Sequence, residues 1–241
     1  MLSAISGFFL PFQGLRLIMG PGLRRYVAMP LLLNLVVFVG LAYWAGIYFD
    51  EFMNTWLPSH SWLEFVRWLL WILFAAAYAL ALFYGFTLTA NLIAAPFNAM
   101  LAAKVEEKLT GEWPAESGES LLKAIAPAVT GEIGKIVYFL TRAVPLLILF
   151  LIPGLNILVS VAWVLFGFWF LAIEYADYPM GNHGVHPREQ RRQLRSRRLK
   201  SLLFGAGVTV MMLIPVLQFA AMPAAVAGAT RLWVEDLSGN R

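Results

Sequence analysis

Apolar residues run along this chain in four long blocks, Tyr26–Phe49, Trp68–Ala103, Ala143–Ile173 and Ser201–Thr230, none of which holds an Asp, Glu, Lys or Arg. Each exceeds the ~20 residues that carry a helix across ~30 Å of hydrocarbon, and none shows the short alternating segments of a membrane barrel. The pattern predicts helices in lipid. Between the second and third blocks, Leu121, Leu122, Ile125, Val129, Ile133, Ile136, Val137 and Leu140 recur at helical spacing against Lys123, Glu132 and Lys135. That periodicity predicts an amphipathic helix over 119–142, lying on the membrane or packing under the membrane segments.

Two blocks carry a helix breaker at their centre. The third reads LIPGLN at 151–156 and the fourth LIPVLQ at 213–218. Proline lacks an N–H and glycine readily ends a helix, so Pro153-Gly154 leaves about ten apolar residues before it, too few to cross, and about nineteen after it. In the fourth block Pro215 and Pro223 bracket VLQFAAM. Irregular backbone at membrane depth persists only where protein or a wet cavity satisfies it, so the two tips must be buried or wet. Re-entrant hairpins and kinked spanning helices both fit this pattern; the distribution of charge favours hairpins.

Basic residues collect on one side of such a layout. Arg16, Arg24 and Arg25 precede the first block; Asp50, Glu51, Glu64 and Arg67 separate the first two; five basic and six acidic residues lie between Lys104 and Arg142; seven basic and three acidic lie between Glu174 and Lys200. If the first two blocks cross and the last two turn back, seventeen of the eighteen basic residues remain on the cytoplasmic face, as the positive-inside tendency requires. The expected fold is an all-α integral membrane protein, a single membrane domain over 1–241. It comprises transmembrane helices over 26–49 and 67–110, the amphipathic cytoplasmic helix, and re-entrant hairpins over 143–173 and 201–230. The second helix, about 60 Å long if unbroken, either projects as a stalk or breaks at Ala95-Pro96. Trp44, Trp56, Trp62, Trp68 and Trp71 flank the loop opposite the basic face like an interfacial belt. The stretch GEWPAESGES (111–120) reads as a linker.

Composition agrees: 60% of the 241 residues are hydrophobic and 13% charged, about half the usual charged share. Arg16 follows rather than precedes the first apolar stretch, ISGFFLPF, an order unlike that of a cleaved secretory signal. There is no cysteine, which removes disulfides and thiolate chemistry. A pI near 9.5 would suit nucleic acid in a polar chain, but here the basic residues read as membrane flanks, and no nucleic-acid partner is expected.

Catalytic signatures are missing. The sequence holds no GxSxG, no phosphate-binding GxxxxGK[ST] and no HExxH, so no catalytic residue, metal or cofactor is assigned. His183 and His186 in GNHGVHP, with Asp177 nearby, read as a polar loop with solvated imidazoles rather than a metal or proton site. Anions are better provided for. GPGLRRY (20–26) sets a Pro-Gly turn before a hydrophobic helix, so free first-turn N–H groups and the forks of Arg24 and Arg25 can converge on a tetrahedral oxyanion; the same arginines would serve equally as cytoplasmic anchors. Polar residues in the apolar blocks are neutral, among them Asn34, Asn91, Asn98, Asn156 and Gln218, which argues against an intramembrane proton relay. Such amides either stitch helices together or line a path.

The motifs GLRR (22–25), NLIAAPFNAMLAAKVEEKLTG (91–111), LIPGLN, EYADYPMGNHG (174–184) and IP with MPAAVAGAT (214–230) together resemble the CysZ sulfate permease family, over essentially the whole chain and in order. The resemblance implies sulfate uptake across a bacterial inner membrane for cysteine biosynthesis, with sulfite or related oxyanions as further substrates. It implies a multi-pass fold with two long helices and others that penetrate the bilayer only partly, and a homo-oligomer built from dimers. It maps the oxyanion site to Gly22, Leu23 and Arg24, with Arg25 beside it. The expected mechanism is a passive or gradient-driven conduit without ATP hydrolysis. Arg24 and Arg25 capture sulfate, and Asn34, Asn91 and Asn98 replace its water. Glu106 and Glu107, with Lys104 and Lys108, form either a charged constriction or a solvated face. A membrane scaffold or a sulfate-sensing regulator is the rival reading.

Overall fold

The computed structural model describes residues 2–56, 63–114 and 121–240, with the side chains of 2, 3, 31, 34, 63, 82–94, 121–132 and 240 set aside. The described residues are helical nearly throughout and contain no strand. In chain order the helices are α1 (Leu2–Ile18), α2 (Arg24–Trp56), α3 (Leu63–Thr110), α4 (Leu121–Phe150), α5 (Asn156–Gly181), α6 (Pro187–Ser196), α7 (Arg198–Leu213) and α8 (Gln218–Leu232). A π-helical turn, Trp233–Leu237, and a 3-10 turn, Ser238–Asn240, follow. Arg24–Trp56, Glu64–Ala81, Ile133–Phe150 and Asn156–Gly181 are long and apolar enough to cross a membrane.

The chain divides into two compact units. One contains residues Ala28–Phe97, an antiparallel pairing of α2 with the first part of α3. Phe49 stacks on Phe74 at 4.1 Å and meets Trp71 edge-on at 4.8 Å, while the Tyr78 hydroxyl donates to the Phe38 carbonyl at 3.3 Å. Near the α2 end Arg67 donates to Asn54 and pairs with Asp50 at 3.6 Å, which neutralises the one basic residue of this region. Leu32, Leu35, Val36 and Val39 stand exposed along α2, the surface of a helix whose solvent is not water. Trp44, Trp56 and Trp68 are also exposed; Trp62 lies outside the described residues.

The other unit contains residues Met1–Val27 and Asn98–Arg241. Its centre is α1 laid against α7 and α8, an element absent from the expectation because seventeen residues without charge contrast show no face. Small residues let these backbones approach. A Cβ added at Gly14 would stand 2.1 Å from the Ala224 carbonyl oxygen, and one at Gly207 would stand 2.2 Å from that of Phe8. Leu10, Phe204, Val208, Met211, Leu232 and Trp233 fill the space around them.

Both LIPxL[N/Q] stretches interrupt the helical run. Residues 151–155 form a turn with Gly154 at φ +90°, and 214–217 form a second turn, in which Ile214 takes the extended conformation favoured before proline. α3 runs on through Pro96 without a break. Two expectations need correction. Pro223 lies inside α8 instead of bounding a turn. The amphipathic helix does not stop at 142 but runs on as α4 to Phe150, so the arm before Pro153 is not a ten-residue piece. Within α4, Lys135 is buried, paired with Glu174 at 3.2 Å and Asp177 at 3.1 Å, while Ile133, Ile136, Val137 and Leu140 are exposed. The carboxylates that draw Lys135 inward stand 39 and 42 positions further on, beyond the reach of a helical-periodicity argument.

Candidate oxyanion site

The turn between α1 and α2 is built from Met19 to Leu23. Gly22 has φ +86°, a left-handed conformation that only glycine adopts without strain, and this reversal brings α2 out of the turn. Leu23 is 2% exposed and packs in the hydrophobic core, so it anchors the turn, and its side chain is no ligand. Arg24 and Arg25 follow at the start of α2, both exposed. The Arg24 Nε donates to the Met19 carbonyl at 2.7 Å, which folds the guanidinium back over the turn and leaves its two terminal nitrogens without a partner among the described residues. Arg25 lies over the Tyr26 ring, 4.9 Å from its centroid, and donates to the Tyr26 hydroxyl at 3.1 Å. A third cation is present: Lys108 of α3 brings its Nζ to 3.0 Å from where a Cβ on Gly20 would stand. None of the three pairs with a carboxylate among the described residues.

First-turn amides reinforce this field. The N–H groups of Gly22, Arg24 and Arg25 reach no backbone carbonyl among the described residues, as expected where a helix begins. Arg24, Arg25 and Lys108 thus bring three positive charges to the neighbourhood of one helix start, whose own dipole is positive at that end.

The other predicted residues go elsewhere. Glu106 and Glu107 do not act together: Glu107 pairs with Lys104, whereas Glu106 is buried and meets His183 Nε2 at 2.7 Å. The second carboxylate oxygen of Glu106 is buried without a hydrogen-bond partner among the described residues, and Asn98 is buried beside the Tyr178 hydroxyl. His183 also packs against Trp233, ring centroids 5.3 Å apart, so the expectation of two solvated imidazoles fails for this one. Its cause is a contact 77 positions away. His186 remains exposed and caps α6, its Nδ1 accepting from the Arg188 N–H at 3.3 Å, while Asp177 serves Lys135 and Gln190. Among the described residues no group of three ligands could hold a metal. Asn156 and Gln218 are exposed at the first positions of α5 and α8, where Asn156 Oδ1 accepts from the Ile157 N–H at 3.0 Å. The side chains of Asn34 and Asn91 lie outside the described residues.

A family model described as Sulfate transporter CysZ/Etoposide-induced protein 2.4 matches residues 10–223. The chain belongs to this family. Within it, a protein of Pseudomonas fluorescens named Sulfate transporter CysZ is 46% identical over 227 residues, 93% of this chain and 91% of the relative. Relatives of the same name in Pectobacterium atrosepticum and Pseudomonas aeruginosa are 43% and 41% identical, covering 95% and 98% of this chain and 85% and 97% of their own lengths. The match to the CysZ/EI24 family takes in the turn, Glu106, Lys108 and His183. Of these, Lys108 as a neighbour of the turn was not legible in sequence, because 84 residues separate it from Arg24; the only signal was its position in a basic-acidic cluster at the end of the second apolar block.

Proposed function

We propose that this protein is a sulfate uptake conduit of the bacterial inner membrane, channel-like or gradient-driven, with no ATP hydrolysis of its own. The observation that carries the reading is the turn at 19–25, where Arg24, Arg25 and Lys108 hold three positive charges without a carboxylate partner among the described residues. Family membership and the names of the relatives support sulfate as the anion; its use would be supply to cysteine biosynthesis. Sulfite and related oxyanions share the tetrahedral or pyramidal charge that such a site accepts.

In this reading α2 and α3 cross the bilayer, and the α4–α5 and α7–α8 pairs enter from the cytoplasmic face and return to it. Length supports re-entry for the second pair: α7 and α8 have 16 and 15 residues, about 24 and 22 Å of helix against ~30 Å of hydrocarbon. For α4 and α5, each long enough to cross, support comes from the arginines of α6, which a simple crossing would export. Sulfate captured at the turn passes amides such as Asn34, Asn91 and Asn98, with Glu106, Glu107, Asn156 and Gln218 along or beside the route, and a dimer-based homo-oligomer completes the conduit.

Purified protein in liposomes should accumulate labelled sulfate, and Arg24→Ala should weaken sulfate binding roughly 10- to 100-fold, the usual cost of losing a charged hydrogen bond. Unchanged affinity in that variant would remove the turn from the mechanism, and liposomes that stay empty would remove transport.

A further inference from the structure

Two guanidinia flank one tyrosine ring where α4, α5 and α6 meet. The Arg142 Cζ lies 3.8 Å from the centroid of Tyr138, and that of Arg191 lies 4.9 Å from it. The ring is held in place: Tyr138 is buried, and Trp169 of α5 donates its indole N–H to the tyrosine hydroxyl at 2.9 Å. Arg142 is held too, donating to Thr141 Oγ1 at 3.1 Å and to the Tyr138 carbonyl at 3.4 Å.

On α6, Arg188 and Arg195 stand three positions before and four after Arg191, which places all three on one helix face. No carboxylate pairs with Arg142, Arg188, Arg191 or Arg195 among the described residues. By contrast Arg192, one position on, is paired with Glu189 at 3.6 Å. Burial, with Arg142, Arg195 and Arg188 as like-charged neighbours, holds the Arg191 guanidinium below its ordinary value. An anion seated among these groups would turn mutual repulsion into attraction.

Position selects the kind of anion. Arg142 is the last charged residue before the run Ala143–Ile173, and beyond it Val144, Leu147 and Ile148 of α4, with Val161 and Leu165 of α5, are exposed. The cationic patch therefore ends where a bare apolar surface begins. A free oxyanion would match only the first half of that arrangement. An amphiphile matches both.

We propose that Arg142 and Arg191, which meet over Tyr138, form with Arg188 and Arg195 on the same face of α6 a headgroup site for an anionic phospholipid, with its phosphate among the guanidinia and its acyl chains along the exposed faces of α4 and α5. The site rests on α4 beyond Arg142 lying in lipid, and it is independent of any sulfate role for the turn at 19–25.

The test uses the full-length protein in zwitterionic detergent, titrated with phosphatidylglycerol, phosphatidylcholine, inorganic phosphate or sulfate, with bound lipid counted by native mass spectrometry and the unfolding midpoint recorded. Phosphatidylglycerol should bind and raise the midpoint in the wild type and in Arg192→Gln. In Arg142→Gln/Arg191→Gln its affinity should fall roughly 30-fold, about fivefold for each arginine removed. Should that variant not fold, Arg188→Gln/Arg195→Gln changes exposed side chains only and should lose affinity by a similar factor. Equal binding of phosphatidylcholine, or undiminished phosphatidylglycerol binding in the folded variants, would overturn the site. A midpoint shift from phosphate or sulfate as large as that from phosphatidylglycerol would overturn the lipid assignment and leave a soluble oxyanion as the occupant.

Discussion

Lys135 and Glu106 share a predicament, a charged side chain inside a helical unit, and they resolve it differently. Lys135 has two carboxylates, Glu174 and Asp177, and Asp177 is steadied by the Gln190 amide at 2.8 Å. Glu106 has one imidazole and leaves its second oxygen unmatched. Removing a partner from a buried ion pair costs ~3–5 kcal/mol, and less where the surviving charges keep some access to water. Glu174 and Asp177 keep such access, so Lys135→Met should destabilise by about 2–3 kcal/mol, read as a lowered unfolding midpoint in detergent, and adding Glu174→Gln should restore part of it. A Lys135→Met protein as stable as the wild type would mean that this cluster contributes nothing net. His183 was legible as a titratable group in a polar motif, but its partner was not, because nothing local in GNHGVHP points to a carboxylate on another helix.

Helices here are decided by more than their prolines. Pro11, Pro30, Pro96, Pro179 and Pro223 all lie within helices, whereas Pro153 and Pro215 sit in turns. In the first turn Gly154 takes a left-handed conformation, and in the second Ile214 is already extended before Pro215. At Pro223 the neighbours Ala221, Ala224 and Ala225 are fully packed, so tertiary contact holds the helix that the missing N–H would weaken. The packing of α1 follows the same logic of close backbones. Gly14→Ala must push against the Ala224 carbonyl and should lower stability by about 1–3 kcal/mol, an overpacking cost, while Gly40→Ala on α2, with open space around it, should be neutral or slightly stabilising. Thermal unfolding of the two variants side by side tests this; equal midpoints would show that α1 can slide without loss.

At the scale of the whole molecule, the hairpin layout fixes which surface each polar segment should face. The absence of cysteine makes the chain a ready background for single-cysteine labelling. Glu112→Cys and Arg197→Cys should react with a membrane-impermeant maleimide from the same side in intact cells or vesicles, and Asn54→Cys from the other. Opposite reactivity of the first two would make α4–α5 a net crossing and would require a new route for the anion.

The four apolar blocks and the two Pro-centred interruptions were readable from the sequence, because lipid imposes length and backbone satisfaction on the chain locally. The Gly-Leu-Arg-Arg turn was readable for the same reason: a glycine with positive φ and a helix start are properties of adjacent residues. What only the folded chain decided is everything that joins distant positions. Lys108 comes to the turn, His183 to Glu106, Lys135 turns inward, and Arg191 of α6 meets Arg142 over Tyr138. Periodicity assigns a residue to a helix face, but which neighbour that face meets depends on how the helices pack, and no interval of sequence encodes that distance.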